Sequence, residues 1–264
     1  MSRPYHQKKL FELHYAGIVI ALFSLIATAQ GSPPSPSPLA NTEAPNGEYA
    51  LAWGIAGASE AQWSELWRLE AGDMSSQSNA TRLFELFEQL AGDDSKNIED
   101  YVVSTKSGRI LATLQGLHYY ELGDQKPNRE EFDVEWSRNS NRLLVIEEGR
   151  YNWREIVLVE FAGGLALRNQ SVGEAIRQMA QNALVQAFGT DRKFQRDRRH
   201  LSYSAEQSKF LPGGRAQIDV NAYVPKGSDR NSFGYLGRIT FKILHRANNQ
   251  FRLEFESMSK VNSN

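Results

Sequence analysis

Alternation of apolar and polar side chains in the last third of the chain is the pattern that most restricts its fold. Between Ile218 and Val224 every second residue is apolar, with Asp219, Asn221 and Tyr223 between them. The same alternation marks Leu201–Ala205, Ile239–Ile243 and Phe251–Phe255. Turn-forming residues separate these stretches at Pro212–Gly214, Lys226–Asp229 and Asn248–Asn249. A period of two belongs to a strand with one buried face, so we predict a three- or four-stranded antiparallel sheet.

A helix is predicted immediately before this sheet. Apolar residues recur at helical spacing at Val172, Ile176, Met179, Ala183 and Ala187. Ser171–Glu174 has the form of a capping box, and Gly189 supplies an end. We expect the helix to pack across the apolar face of the sheet.

Strands and two helices are also predicted in the preceding half of the chain. Tyr49, Leu51, Trp53 and Ile55 alternate with small residues, and two amphipathic helices follow, the first capped by Ser59–Gln62 and the second over about Ser78–Ala91. A hairpin is expected around Lys106–Gly108. Three further strands are expected at Phe132–Trp136, Arg142–Glu147 and Glu155–Phe161, with turns at Arg138–Asn141 and Gly149–Trp153.

These patterns together predict an α+β fold, in which an antiparallel β-meander with inserted helices is followed by a helix plus a three- or four-stranded antiparallel sheet. The expected divisions are a signal peptide at 1–29, a Pro/Ser-rich linker at 30–46, a β-rich region with two helices at 47–165, and a helix and β-meander region at 166–264. The last two regions are compatible with one continuous domain.

The first residues have the organisation of an export signal. Basic residues at Arg3, Lys8 and Lys9 precede the apolar run Ala16–Ala29, which ends in Ala-Thr-Ala. We expect cleavage after Ala29 and a secreted or periplasmic protein that meets the membrane only transiently. The alternative is a retained anchor, but the run has about 14 residues where a span needs roughly 20.

Composition excludes several classes of function. The chain has no cysteine, which rules out disulfides, thiolate metal sites and a cysteine nucleophile. Its 30 Lys and Arg against 31 Asp and Glu give a net charge of −1, so no overall field attracts nucleic acid. The motifs of serine triads, zinc peptidases, P-loops and dinucleotide-binding turns are missing from the sequence. Specific nucleic-acid binding, a metal and a cofactor are therefore not expected.

A polar turn followed by an apolar strand occurs twice. Ala44–Trp53 aligns with Ser137–Ile146. The segment Trp136–Val145 reads W-S-R-N-S-N-R-L-L-V and resembles the W-S-P-D-G-x-x-L-x-V phrase of TolB-like β-propeller blades, with Arg138 and Asn139 in place of Pro and Asp. The resemblance covers at most residues 45–162. It implies a shared turn-and-strand device in an open sheet, because a ring needs about four or more blades.

Two segments are candidate ligand-binding sites. In the loop Gly116–Glu121, His118 stands three residues before Glu121 with the phenols Tyr119 and Tyr120 between them, an arrangement that could bind a ligand or carry a proton. The alternative is that the two tyrosines straddle a strand. Trp153, in a predicted turn beside Arg154, is the one tryptophan whose position is compatible with recognition of a ligand; the alternative is a turn residue whose ring folds back over the sheet.

A basic run follows the predicted helix and is a candidate anion-binding patch. Its members are Arg192, Lys193, Arg196, Arg198 and Arg199. Positive charge after a helix C-terminus is also favourable without any ligand. The opposite patch, formed by Glu131, Asp133 and Glu135 on one strand face, is expected to be solvated rather than metal-binding.

The sequence therefore favours an exported, non-catalytic binding or assembly protein, whose partner is a protein or an anionic ligand. The alternative is an exported hydrolase of unfamiliar type that uses His118 and a carboxylate.

Overall fold

Three antiparallel sheets and a short hairpin contain the strands of the structure, a computed structural model that describes residues 38–70, 77–91, 98–117, 120–122, 127–129, 132–149, 153–225, 232–246 and 250–261. The N-terminal sheet contains β1 (Tyr49–Ile55), β2 (Ile98–Ser104) and β3 (Ile110–Thr113), and the hairpin contains β4 (Tyr120–Leu122) and β5 (Pro127–Arg129). The central sheet contains β6 (Phe132–Trp136), β7 (Arg142–Glu148), β8 (Trp153–Ala162) and β9 (Leu165–Ser171). The C-terminal sheet contains β10 (Ser202–Leu211), β11 (Arg215–Tyr223), β12 (Gly234–His245) and β13 (Phe251–Lys260).

The described helices are four: α1 (Glu60–Glu70), α2 (Gln77–Ala91), α3 (Gly173–Phe188) and α4 (Arg192–Asp197). With more strand than helix, the chain is compatible with the predicted α+β class, and the expectation of antiparallel sheets is confirmed. No described helix is both long and apolar enough to cross a membrane.

The central sheet is covered on both faces, which explains its apolar strands. On β7, Leu143 and Val145 belong to a core shared with the N-terminal sheet and with α1 and α2. Leu144 and Ile146, which alternate with them, belong to a second core shared with α3 and the C-terminal sheet. Successive side chains of a strand point to opposite faces, so an unbroken apolar run is needed where both faces are buried.

The capping box and the hairpin predicted in the first half of the chain agree with the structure. The Ser59–Gln62 capping box is confirmed, because Gln62 Oε1 accepts the Ser59 N–H at 2.8 Å. β2 and β3 form the predicted hairpin around Lys106–Gly108, where Gly108 has a φ of 63°. On α2, Phe87 stacks on Trp53 of β1 with ring centroids 5.4 Å apart. The helical face is therefore fixed against the N-terminal sheet.

One local prediction around α3, the capping box at Ser171–Glu174, is wrong, and two elements beside this helix were not predicted. Leu165–Ser171 forms β9, a fourth strand paired with β8. Val172, not Ser171, caps α3 and makes no side-chain capping bond. Ser171 Oγ instead donates to Glu155 Oε1 at 2.8 Å, because that carboxylate on β8 lies beside the start of the helix. The basic run is partly helical, since Asp191 Oδ1 accepts the Phe194 N–H and starts α4.

The two aligned turns have the same backbone geometry. Ala44 N–H donates to Tyr49 O at 2.8 Å, and Ser137 N–H donates to Arg142 O at 2.9 Å. The residues three positions after each start, Gly47 and Ser140, have positive φ angles of 67° and 55°. The internal similarity seen in the sequence therefore corresponds to one turn conformation used twice.

Carboxylates of the central sheet bind the edge strand of the C-terminal sheet. Glu148 Oε1 accepts the Ala205 N–H at 3.0 Å, and Glu135 Oε1 accepts the Phe210 N–H at 3.4 Å. Ser208 Oγ donates to Asp133 Oδ2 at 3.0 Å. Asp133 is exposed, in line with the expectation of a solvated patch, whereas Glu135 is partly buried, and β10 supplies a hydrogen-bond donor to each. Glu131 lies outside the described residues.

Candidate functional site

A cleft of about 690 Å³ opens where two turns from different sheets face each other. One wall is the β6–β7 turn, which contributes Arg138, Asn139, Asn141 and Arg142. The other wall is the end of β10 and the β10–β11 turn, which contribute Phe210 to Gly214. Guanidinium and carboxamide groups thus face apolar side chains and glycine backbone.

Ser137 organises the polar wall. Its Oγ accepts the Arg142 N–H at 2.9 Å and lies 3.0 Å from the Oδ1 atoms of both Asn139 and Asn141. Ser140 keeps the left-handed conformation of the turn, and its Oγ accepts the Asn46 N–H at 3.1 Å. The two asparagines and the start of β7 are therefore held by one buried hydroxyl.

Arg142 reaches the cleft from a fixed position. Its Nε and Nη2 atoms donate to Glu160 Oε1 at 3.3 and 3.1 Å, because Glu160 of β8 stands directly opposite Arg142 in the register of the sheet. The opposite wall fits closely around it. A Cβ on Gly214, which has a φ of +72°, would stand 3.5 Å from Arg142 Nη1.

Glu160 is the centre of a charged cluster beneath the cleft. Arg168 of β9 donates to Oε2, and His245 Nε2 of β12 lies 2.9 Å from Oε1. Burial acts to raise the pKa of Glu160, but the hydrogen bond from Arg142, the nearby His245 and Arg168 outweigh it, so this pKa lies below its usual range. Glu160 is therefore ionised at neutral pH.

The cleft has a surplus of positive charge. Arg138 and Arg142 contribute two guanidiniums to the lining, and none of the lining residues that the structure describes carries a carboxylate. Glu160, which pairs with Arg142, is itself shared with Arg168. Arg138 is exposed and forms no ion pair with another described residue. An anion entering the cleft would meet Arg138 at the rim and Arg142 at the base.

Comparisons of the chain with protein-family models, with curated proteins and with solved structures found no match. The chemistry of the site is therefore argued from its own residues. In the part of the chain that the structure describes, no group of three His, Asp or Glu side chains could hold a metal ion.

The basic run forms a second, smaller cationic concavity. Arg198 and Arg199 line a pocket of about 270 Å³ with Gln181, Val185, Phe194 and Tyr203. Arg192 and Lys193 are exposed on α4. Arg196 is engaged elsewhere, because its guanidinium donates to both oxygens of Asp197 at 2.6 and 2.8 Å. Of the five predicted anion-binding residues, Arg198 and Arg199 thus line this pocket together.

Trp153 is not free for recognition as predicted. It begins β8 instead of lying in a turn, and only 1% of its surface is exposed. Arg177 of α3 lies over its ring at 5.5 Å, and Tyr203 packs beside it with ring centroids 6.3 Å apart. The ring is therefore part of the hydrophobic core between the central sheet and α3. Arg154 follows it on β8, and its side chain lies outside the described part.

The loop that carried the hydrolase hypothesis is only partly described. Tyr120 and Glu121 lie on β4, opposite Arg129 and Asn128 of β5, whereas His118 and Tyr119 lie outside the described residues. The use of His118 with a carboxylate stays a prediction. Among the other histidines, His200 is exposed after α4 and His245 contacts Glu160.

The sequence patterns do not predict the residues of the cleft as site residues. Arg138, Asn139 and Asn141 belong to the turn that resembles the propeller phrase, so the unusual turn was a signal for them. For Glu160, Arg168 and His245 the sequence offers none, because they meet only through strand register and sheet packing.

Proposed function

We propose that this chain is an exported, non-catalytic binding protein that holds an organic anion in the cleft between the β6–β7 and β10–β11 turns. Export rests on the basic residues, apolar run and Ala-Thr-Ala ending of residues 1–29. The binding role rests on the cleft.

The observation that carries the proposal is a large open cleft with two guanidiniums and two carboxamides on one wall and no carboxylate among the lining residues that the structure describes. Arginine presents several N–H donors in a planar fork that suits carboxylate, sulfate and phosphate groups. Arg142 is already oriented by Glu160, so little side-chain entropy is lost when a ligand binds.

The second wall defines the rest of the ligand. Phe210, Leu211 and Pro212 offer apolar surface opposite the arginines. A ligand that uses both walls carries an anionic group at one end and an apolar or aromatic body at the other. Small inorganic ions would use only the polar wall and should bind more weakly.

The likeness to a TolB-like blade enters the proposal as a shared turn-and-strand device. The equivalent hydrogen bonds of the turns at Ala44–Tyr49 and Ser137–Arg142 support it. In this proposal the second turn acts as a rigid support for Arg138 and the asparagines. No ring of blades is proposed.

Fluorescence titration with anilinonaphthalene sulfonate, an aryl sulfonate, tests the proposal, with uncharged phenylnaphthylamine as the matched probe. Arg138→Gln removes the unpaired cation at the rim without disturbing a described contact. We expect the variant to bind the sulfonate roughly tenfold more weakly, which is the loss for one charge-assisted hydrogen bond at an exposed site. Its binding of phenylnaphthylamine should not change.

The double variant Arg198→Gln/Arg199→Gln is the matched control, because it removes two exposed guanidiniums from the second concavity. It should bind the sulfonate as the unmodified chain does. Unchanged binding by Arg138→Gln, or a loss seen only in the double variant, would overturn the assignment of the cleft.

A further inference from the structure

The two carboxamides of the cleft share one buried hydroxyl, which has a single proton. Ser137 Oγ lies 3.0 Å from the inward atom, Oδ1, of Asn139 and 3.0 Å from that of Asn141. One of its lone pairs accepts the Arg142 N–H at 2.9 Å. Arg142 O, 3.2 Å away, is a third acceptor within reach, but it already accepts the Ser137 N–H. A serine hydroxyl donates one hydrogen bond and accepts two, so it cannot donate to both carboxamide oxygens.

Opposite orientations of the two carboxamides satisfy this hydroxyl. Rotation of a carboxamide by 180° about the last bond of its side chain exchanges Oδ1 and Nδ2 in the same place. With one of the two rotated, the hydroxyl donates to one asparagine oxygen and accepts an N–H from the other asparagine. Two oxygens held at 3.0 Å would instead set the lone pairs of one of them against those of the hydroxyl. Asn139 and Asn141 therefore turn different atoms towards Ser137.

The outward atoms of the two carboxamides differ as a result. Asn139 and Asn141 both line the cleft, and the outer atom of each makes no hydrogen bond to another described residue. One side chain thus presents an NH2 group to the cleft, and the other presents a carbonyl oxygen. A carboxylate or sulfate has only acceptors at neutral pH and offers nothing to that carbonyl oxygen. A ligand that satisfies the whole wall therefore carries hydrogen-bond donors beside its anionic group.

We infer that the ligand of the cleft is a sugar acid, a pyranose ring that carries a carboxylate and neighbouring hydroxyls. This assignment rests on the proposed function, because Arg138 and Arg142 bind the acid group there. One hydroxyl donates to the outward carbonyl oxygen, and the next accepts from the outward NH2 group. The C–H face of the ring packs on Phe210 of the opposite wall. A volume of about 690 Å³ is in the range of pockets that enclose a small organic ligand.

A peptide also combines donors and acceptors, but its geometry fits this wall less well. In a trans peptide the N–H and C=O groups point in opposite directions across the chain. The outward groups of Asn139 and Asn141 lie side by side, because both carboxamides contact the same hydroxyl oxygen. Neighbouring hydroxyls of a sugar ring are also side by side, and each rotates to donate or accept. The pair of asparagines therefore fits a diol better than a peptide.

Calorimetric titration of the purified chain with matched small acids tests the inference. Methyl glucuronide has the ring, the carboxylate and the hydroxyls, whereas cyclohexanecarboxylate has the ring and the carboxylate alone. We expect the glucuronide to bind at least about tenfold more tightly, which is the gain from two neutral hydrogen bonds. Contact with the apolar wall alone would give the opposite order. N-acetylphenylalanine, which has a peptide amide beside its carboxylate, should bind more weakly than the glucuronide, and the reverse order would overturn the inference.

Alanine variants of the two asparagines separate recognition of hydroxyls from loss of folding. Asn139→Ala and Asn141→Ala should each bind the glucuronide several-fold more weakly and bind cyclohexanecarboxylate as before, a change of preference that unfolding does not produce. Asn182→Ala is the matched control, because it removes an exposed carboxamide of α3 that does not line the cleft. It should bind both acids normally.

The Arg138→Gln variant distinguishes failure of this inference from failure of the proposed function. Equal binding of the two acids by the unmodified chain, with both weakened by Arg138→Gln, would overturn the sugar acid and leave the anion-binding cleft in place. Binding of neither acid, or binding of both that Arg138→Gln does not change, would overturn the two proposals together.

Discussion

Replacing Glu148 with glutamine tests how the central and C-terminal sheets are joined. The half-buried Glu148 carboxylate accepts the Ala205 N–H and faces the carboxylates of Glu206 and Asp133. Burial has the largest effect and raises the pKa of Glu148. The hydrogen bond from the Ala205 N–H lowers this pKa, and the like charges of Glu206 and Asp133 raise it. The sum of these effects takes the pKa from 4.5 to about 7. The folded chain therefore binds this proton more tightly than the unfolded chain does.

Because the pKa of Glu148 is higher in the folded chain than in the unfolded chain, protonation of this carboxyl stabilises the fold. Stability from the bound proton is fully present below the unfolded-state pKa of 4.5 and is lost as the pH rises to the folded-state value of about 7. A change of this size in the pKa corresponds to an upper limit of about 3–4 kcal/mol. Solvent screening of a half-buried side chain lowers the expected loss to about 1–2 kcal/mol.

Urea unfolding of Glu148→Gln and the unmodified chain measures this difference. Glutamine keeps an acceptor for Ala205 and has no charge to desolvate. The two chains should be similarly stable at about pH 5, and the variant should be more stable by about 1–2 kcal/mol at about pH 8. Glu254→Gln, an exposed change on β13, is the control and should show no such pH dependence. An equal advantage at both pH values, or the same trend in the control, would refute the reasoning.

Two further predictions concern contacts around α3 and α4. Hydrogen bonds from Arg196 and from the Phe233 N–H hold the pKa of Asp197 at about 2, so its stabilisation is present above 3.8 and is lost as the pH falls towards 2. Asp197→Asn should lower the melting temperature at neutral pH and have less effect below about pH 4; melting curves across this range check it, and a constant effect would contradict it. A Cβ on Gly173 would stand 3.0 Å from Glu155 Oε1 and 3.2 Å from the Ile156 backbone N. Gly173→Ala should therefore cost about 1 kcal/mol or more in urea unfolding, although alanine normally favours a helix. The control is Gly234→Ala, because a Cβ on Gly234 would have no atom within 4 Å, and this variant should not lose stability in the same way. Equal losses in the two variants would show that the close contact at Gly173 is not the cause.

Periodicity predicted the strands well where burial is one-sided or complete. β11 and β12 alternate because one face packs on α3, and β7 is continuously apolar because both of its faces are buried. β9 was missed because, at the edge of its sheet, it alternates between exposed and partly buried residues and carries little apolar contrast. The capping box at Ser171 failed because Glu155, a neighbour in space rather than in sequence, competes for the serine hydroxyl.

The cleft could not be predicted in the same way. Its two walls lie about seventy residues apart, at Arg138–Arg142 and Phe210–Gly214, and meet only when the central and C-terminal sheets pack. Glu160 sits between Arg142 and Arg168 because of strand register, which a shift of one residue would destroy. For Trp153 the sequence suggests a functional residue where the structure has a buried one. A tryptophan beside a predicted turn suggests a free ring, but β8 starts earlier than the pattern indicates and buries it.

The two arginines of the cleft have different roles because their surroundings differ. Arg142 is fixed by Glu160, which offsets part of its charge, so its main contribution is a donor in a known place. Arg138 has no described ion-pair partner, and its charge is available to a ligand. Removing Arg142 would leave Glu160 buried with one guanidinium fewer and would disturb the joint between β7, β8 and β12. A loss of binding in an Arg142 variant would therefore mix two causes, whereas a loss in an Arg138 variant reports on the ligand alone.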